Sequence, residues 1–306
     1  MAGAGIVTTG SKPRLLKEGI NTLFGLAYDQ LDAIHTKVYE VKKAKHQYEE
    51  AVQLVGVGQA ERKAEGSAMT LDSYKQGSTR LSVMETWGKR VRVTMEAFED
   101  DLYLDQGGVI AKELAKALFH AKETNGSSLF NNPTSTGAPY VGSDTKALLD
   151  TAHPTGSGAT FSNRPTVYSN LSELALEQAC IDIWALVGAD GLRISINPKA
   201  LLLPPQLAFD AERILHSEKQ NDTANNAINA LKNKGMIPSS YVWRFLTSAS
   251  AWFVLTDNPG LVLYNKRAAE LKMFNDDSTY DTLYGMTERY VFDYFDPRAV
   301  YGSIGA

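Results

Sequence analysis

The run from about Leu54 to Met95 is a long hairpin with no core of its own. One arm carries Val52, Leu54, Val55 and Val57, and the other carries Leu81, Val83, Met84, Trp87, Val91 and Val93. The tip between them is polar and glycine-bearing, with Glu61, Arg62, Lys63, Glu65, Gly66, Asp72, Lys75 and Gly77. Two arms of about 20 residues, at ~3.3 Å per residue, reach roughly 60 Å. A two-stranded ribbon of that length is marginal alone in water. It needs another surface, and the compact part of one 306-residue chain does not cover it all. A neighbouring copy supplies such a surface, so the pattern predicts a protein that works as an assembly.

Composition narrows the classes. Hydrophobic residues make up 43% of the chain and charged ones 22%, which is ordinary globular usage. The formal net charge of −4 excludes a globally basic nucleic-acid reader. Cys180 is the single cysteine, so no internal disulfide forms, and its apolar helical surroundings mark it as a buried small hydrophobe. The start, Met1 to Ile6, lacks a cationic region and a sustained apolar core, so it does not read as a signal peptide. No run approaches the ~18 apolar residues of a membrane span. These features predict a protein made and kept in a reducing cytoplasm, with no membrane partner.

Along the chain, residues 1–13 read as a tail. Residues 14–50 carry spaced apolar groups interrupted by Gly19 and Gly25, and both an extended arm and an ordinary first helix fit that spacing. After the ribbon, Val109, Ile110, Leu114, Leu118 and Ala121 form one apolar helical stripe, with Lys112, Glu113, Lys116 and Lys122 elsewhere on the surface. Asn125-Gly126 reads as its C-cap. Residues 124–170 are polar and contain Asp150-Thr151-Ala152-His153-Pro154. So long an irregular connection is functional or packed against partners. From 171 the pattern turns α/β. Leu176, Cys180, Ile183 and Val187 mark a helix face, and Leu192, Ile194 and Ile196 alternate as a strand. Leu201–Leu203, Tyr241–Leu246, Trp252–Leu255 and Leu261–Tyr264 read as further strands, and 206–216 and 221–234 as helices. Near the end Tyr290, Phe292 and Tyr294 share one strand face, opposite Arg289, Val291 and Asp293.

This order of parts, together with the Thr151-Ala152-His153-Pro154 loop and the ending Asp296-Pro297-Arg298-Ala299-Val300-Tyr301-Gly302-Ser303, resembles the major capsid proteins of tailed bacteriophages. The loop is similar to one found in many such proteins, the Mu-like head subunits included. The resemblance implies an α+β, HK97-like fold. Residues 1–50 would be the N-terminal arm and 51–95 the E-loop ribbon. Residues 96–170 and 263–306 would be the P domain, with its spine helix at about 96–124 and a polar loop region at 125–170. Residues 171–262 would be the A domain. It implies a head protein that self-assembles through hexamers and pentamers into an icosahedral shell around double-stranded DNA. It also implies a scaffold or protease, a portal and decoration proteins as partners, non-specific contact with packaged DNA, assembly in the host cytoplasm, and no cofactor. Some relatives carry a long cleaved N-terminal segment, for which 1–50 is short. Others crosslink through an E-loop lysine, for which Lys63 and Lys75 are placed, although a solvated lysine accounts for each.

The remaining constellations are weak. His35, His46, His120, His153 and His216 show no metal spacing. Gly56-Val57-Gly58 lacks the third glycine of a dinucleotide loop, and no nucleophile elbow or Walker lysine loop occurs. Charge is more informative. From Leu54 to Met95, Arg62, Lys63, Lys75, Arg80, Lys89, Arg90 and Arg92 outnumber Glu61, Glu65, Asp72 and Glu85. Glu96, Glu99, Asp100, Asp101 and Asp105 follow with no intervening base. One reading is a solvated ribbon before an acidic helix start. The other is a basic ribbon docking on the acidic ground of the next subunit, with Arg62, Lys63, Lys75, Trp87, Arg90 and Arg92 as contacts. The rival functions are an encapsulin-like compartment and an oligomeric enzyme with 124–170 as a lid and His153 as its acid or base. The expected reading is a non-enzymatic capsid subunit.

Overall fold

A computed structural model describes residues 32–94, 106–219, 228–276, 278–279 and 281–306. Helix α1 (His35–Val38) leads into strand β1 (Glu40–Lys43). Strands β2 (Tyr48–Val55) and β3 (Lys75–Val83) pair antiparallel as a ribbon, and β4 (Glu85–Val93) follows directly after Met84. Helix α2 (Gln106–Asn131) comes next. A polar loop then holds the short ladder of β5 (His153–Pro154) and β6 (Thr160–Phe161). Helix α3 (Glu173–Trp184), strand β7 (Pro198–Leu203), helices α4 (Ala208–His216) and α5 (Ala230–Lys234), and strands β8 (Ser240–Val242) and β9 (Trp252–Thr256) follow. The chain closes with β10 (Leu261–Asn275), β11 (Thr282–Tyr294) and β12 (Val300–Ser303).

Two four-stranded sheets organise the molecule, in the orders β1-β10-β11-β4 and β12-β9-β7-β8. The first lies against α2. Ala111, Leu114, Ala115 and Leu118 recur at helical spacing and pack on Leu271, Tyr284 and Met286 of the sheet. In the second, β9 is buried along its whole length, because successive side chains enter different cores. Phe253 and Leu255 join Phe130, Trp243 and Tyr290, whereas Trp252 and Val254 join Leu176, Ile183 and Leu201. Helix α3 starts where Ser172 accepts a hydrogen bond from the Ala175 N–H, and it buries Leu176, Ala179, Cys180 and Ile183. Among the described residues, no helix is long and apolar enough to cross a membrane.

Several sequence expectations are corrected. The second arm of the hairpin divides at Met84. Only β3 pairs with β2, while β4 pairs with β11 over Thr282↔Val93 to Tyr290↔Glu85. The paired ribbon is therefore 8 residues against 9. The alternation of 81–93 runs on without a break, and alternation does not say which strand is the partner. Helix α2 continues through Asn125-Gly126 to Asn131. Gly126 is there for close approach. A Cβ on it would lie 3.2 Å from the Phe292 ring and 3.3 Å from Trp243. Asn125 donates to the Tyr290 hydroxyl at 2.9 Å. Lys122 is buried and ion-paired with Glu288. Residues 192–196 form no strand beyond one isolated bridge, Val187↔Arg193. Strand β8 stops at Val242, and β10 runs on to Asn275. The helix start at 96 and residues 221–227 of the helix expected over 221–234 lie outside the described residues.

Candidate assembly interface

The ribbon is firmly rooted and then stands open. At its root Arg80 Nε donates to both carboxylate oxygens of Asp293, at 2.9 and 3.0 Å. Arg80 Nη1 donates to the Val141 carbonyl at 2.7 Å, and Ser82 Oγ donates to Asp293 Oδ2 at 2.6 Å. Asp293 is buried, so a charge-assisted fork ties β3 to β11 and to the polar loop. Gly156 leaves room for Val55, since a Cβ there would sit 2.2 Å from Val55 Cγ2. Further out Leu54 is exposed, as are Met69, Leu71 and Tyr74 in the excursion between β2 and β3, Leu71 at 97%. On the root itself Tyr48, Leu81 and Val83 are exposed on the side away from Asp293. A soluble monomer rarely leaves so much apolar surface in one excursion.

The residues expected at the interface do not all sit together. Arg62, Lys63 and Lys75 are exposed on the excursion and at the outer end of β3. Trp87, Arg90 and Arg92 are on β4, off the ribbon, because β4 joins the sheet. Trp87 is half-buried and stacks on Tyr290, with ring centroids 6.3 Å apart. Arg92 is spent within the chain: Nε donates to Asp281 at 2.5 Å and Nη2 to Thr279 Oγ1 at 2.6 Å. Glu96, Glu99, Asp100 and Asp101 lie outside the described residues.

The loop motif is a structural lock. Thr151 and Pro154 are exposed, and His153 is fully buried. Asn163 Nδ2 donates to the carbonyls of Leu148, Pro297 and Val300, at 2.6, 3.0 and 3.1 Å. Its Oδ1 is therefore the end that accepts from the Asp150 N–H and from His153 Nε2. His153 Nδ1 lies 2.6 Å from Asp144 Oδ2. Burial alone would raise the Asp144 carboxyl, but the His153 hydrogen bond and charge and the Lys146 N–H hold it below its ordinary value. The closing motif packs beside this lock. Arg298 donates to the Val187 carbonyl and to Asp296, and its guanidinium lies 4.2 Å over the Phe161 ring, which in turn stacks on His153. Asn163 and Asp144 escaped the sequence reading, since single polar residues in a polar loop carry no period; Asp293 was placed on its strand face, but its partner Arg80 was not legible. Among the described residues no acidic, histidine or cysteine cluster could hold a metal.

A family model described as phage capsid protein matches residues 78–303. The chain belongs to the phage capsid protein family. Comparison with curated protein sequences finds no match. Solved structures agree on the fold. The virus-like particle from Pyrococcus furiosus is 10% identical over 94% of this chain and 98% of its own, with a TM-score of 0.56. The Mycobacterium phage Adephagia structure is 13% identical over 90% and 91%, with a TM-score of 0.53. The holo-SrpI encapsulin complex from Synechococcus elongatus is 11% identical over 90% and 88%, with a TM-score of 0.52. This capsid protein thus has the HK97-like α+β fold and is a shell-forming major capsid protein of the tailed-phage type, located in the virion capsid. The encapsulin likeness is one of fold alone.

Proposed function

We propose that this capsid protein closes its shell by laying the β2–β3 ribbon across a neighbouring copy, in hexamers and pentamers, around double-stranded DNA. The observation that carries the reading is a ribbon with a buried charged root and an exposed apolar reach. A rigid root fixes direction, and exposed Leu54, Met69, Leu71 and Tyr74 supply area that only a partner buries. Arg62, Lys63 and Lys75 steer the encounter. In this reading 1–50 is the arm, which lends β1 to the sheet on α2, that sheet and α2 as its spine form the P domain, and 171–262 is the A domain. The subunit's work is mechanical and not catalytic. Many modest contacts, repeated with symmetry, give a closed container. A scaffold or protease, a portal and decoration proteins complete the particle, which is assembled in the host cytoplasm.

Negative-stain microscopy of Leu71→Asp/Tyr74→Asp tests the ribbon. The expected outcome is soluble, folded subunits and no closed shells under conditions where the unmodified protein forms them. Normal shells from the variant would remove the ribbon from the contact.

A further inference from the structure

The open face of the β10–β11–β4 sheet, turned away from α2, carries a groove of about 550 Å³. Gly88 and Gly285 form its floor, Arg90, Arg267 and Lys272 line it with Phe274 as a lip, and Lys89, paired with Met286, borders it on the edge strand β4. The glycine floor keeps it open. A Cβ on Gly88 would meet the Met286 carbonyl at 2.6 Å, and one on Gly285 would lie 3.1 Å from Arg90 Cγ.

Three of the four cations here lack counter-charge. Lys89, Arg90 and Arg267 form no ion pair among the described residues. Arg267 donates to the neutral Thr287 hydroxyl at 2.9 Å. It also stands directly opposite Arg289 in the β10–β11 register, a like-charge pairing that costs stability. The Arg289 Nε is buried with no hydrogen-bond partner among the described residues. Glu270 is the nearby acid, 3.4 Å from Lys272, and both of those side chains are about half exposed, so the pair is weak. A chain of net charge −4 has therefore gathered Arg90, Arg267, Arg289 and Lys272 on one sheet face, with Lys89 at its edge and Glu270 as a weak counter-charge.

We propose that this groove binds the phosphodiester backbone of nucleic acid. The inference rests on the reading that the shell encloses DNA, and it places one phosphate contact of the subunit on this sheet face. Composition favours nucleic acid over a second copy. Protein–protein interface cores are depleted in lysine and rich in apolar area. Nucleic-acid interfaces are far more positive. Here the one exposed large apolar side chain among the lining residues is Phe274, at 48%. An exposed ring beside a row of cations is also the arrangement on which an unpaired base stacks. The ribbon, with its exposed aliphatic and aromatic residues, has the opposite composition and suits protein.

The test compares the unmodified protein with Lys89→Gln/Arg90→Gln/Arg267→Gln/Lys272→Gln. All four side chains are exposed, so the fold tolerates the change. Shells are treated with nuclease from outside and their protected nucleic acid is measured. Unassembled subunits are titrated with a DNA duplex and with a single-stranded oligonucleotide across a salt series. The expected result is normal shells holding several-fold less protected nucleic acid. With four phosphates neutralised, the unmodified subunit's log affinity for duplex should fall with log salt at a slope of about −3.6, and the variant's should be nearly flat. Tighter binding of the single strand would identify Phe274 stacking as a second part of the site. Equal nucleic-acid content and equal slopes would overturn the proposal. So would folded variant subunits that no longer close shells while their DNA binding is unchanged, which would make the groove a contact between copies. If the unmodified protein forms no shell at all, the container reading falls, and the titration alone decides the groove.

Discussion

At the residue scale the molecule is held by buried polar groups that each meet specific partners. Arg80 is one such group, because its guanidinium answers a carboxylate that the sheet has buried. Removing one partner of a buried pair leaves the other charge uncompensated, at a cost of about 3–5 kcal/mol. Arg80→Met should therefore destabilise the unassembled subunit by an amount of that order in urea unfolding, and should speed proteolytic cleavage of the ribbon. An unchanged midpoint would mean that Ser82 and the Tyr294 N–H suffice for Asp293. Asp144 gives a pH prediction with a definite sign. Its folded-state value lies below the ordinary carboxylate value of about 3.9, so its stabilisation is present above that pH. The contribution is lost as pH falls through the lower folded value. Asp144→Asn should flatten the loss of stability below pH ~4, read from unfolding midpoints along a pH series. Identical acid limbs for both proteins would remove Asp144 from the lock.

At the scale of elements, α2 and β11 work as one piece. Asn125, Gly126 and the buried Lys122 all face β11 or its neighbours, so the last turns of α2 are an interface and not a helix end. The prediction follows from the space around Gly126. A glycine in an exposed helix costs about 1 kcal/mol against alanine, so replacing it would ordinarily stabilise. Here the added atoms meet Phe292 and Trp243, and overpacking costs about 1–3 kcal/mol. Gly126→Val should lower the unfolding midpoint, and a rise would show that the two rings have room to yield. The same element explains why a C-cap was the natural expectation. Asn-Gly is a strong local stop signal, and the packing of Tyr39, Phe292 and Trp243 around it overrides that signal.

At the scale of the whole molecule, folding and assembly draw on different residues. The buried core clusters contain no residue of 56–74, so changes at Leu71 and Tyr74 leave the subunit's own stability unchanged. Circular dichroism melts of Leu71→Asp/Tyr74→Asp should therefore overlay the unmodified subunit while closed shells disappear. A lowered melt would mean that the excursion folds back on its own chain. The charge map changes at this scale as well. With β4 in the sheet, Lys89, Arg90 and Arg92 leave the ribbon. The expected basic ribbon becomes a nearly balanced, apolar one beside a basic sheet face.

The sequence by itself determined the features that depend on neighbours along the chain. The stripe Leu114, Leu118, the α3 face Leu176, Cys180, Ile183 and the alternation of β11 are periodic, and burial on one face selects that period. The order of these parts, with the Thr151-Ala152-His153-Pro154 loop and the closing motif at Asp296–Ser303, carried the HK97-like expectation. Only the tertiary structure decided what depends on residues far apart. It set which strand β4 pairs with, where α2 ends, and that Asp293 meets Arg80 from 213 positions away. It also decided that His153 and Asn163 close the loop on Pro297 and Val300. Strand partners, buried ion pairs and close approaches are chosen by three-dimensional fit, and a one-dimensional pattern holds no record of that choice.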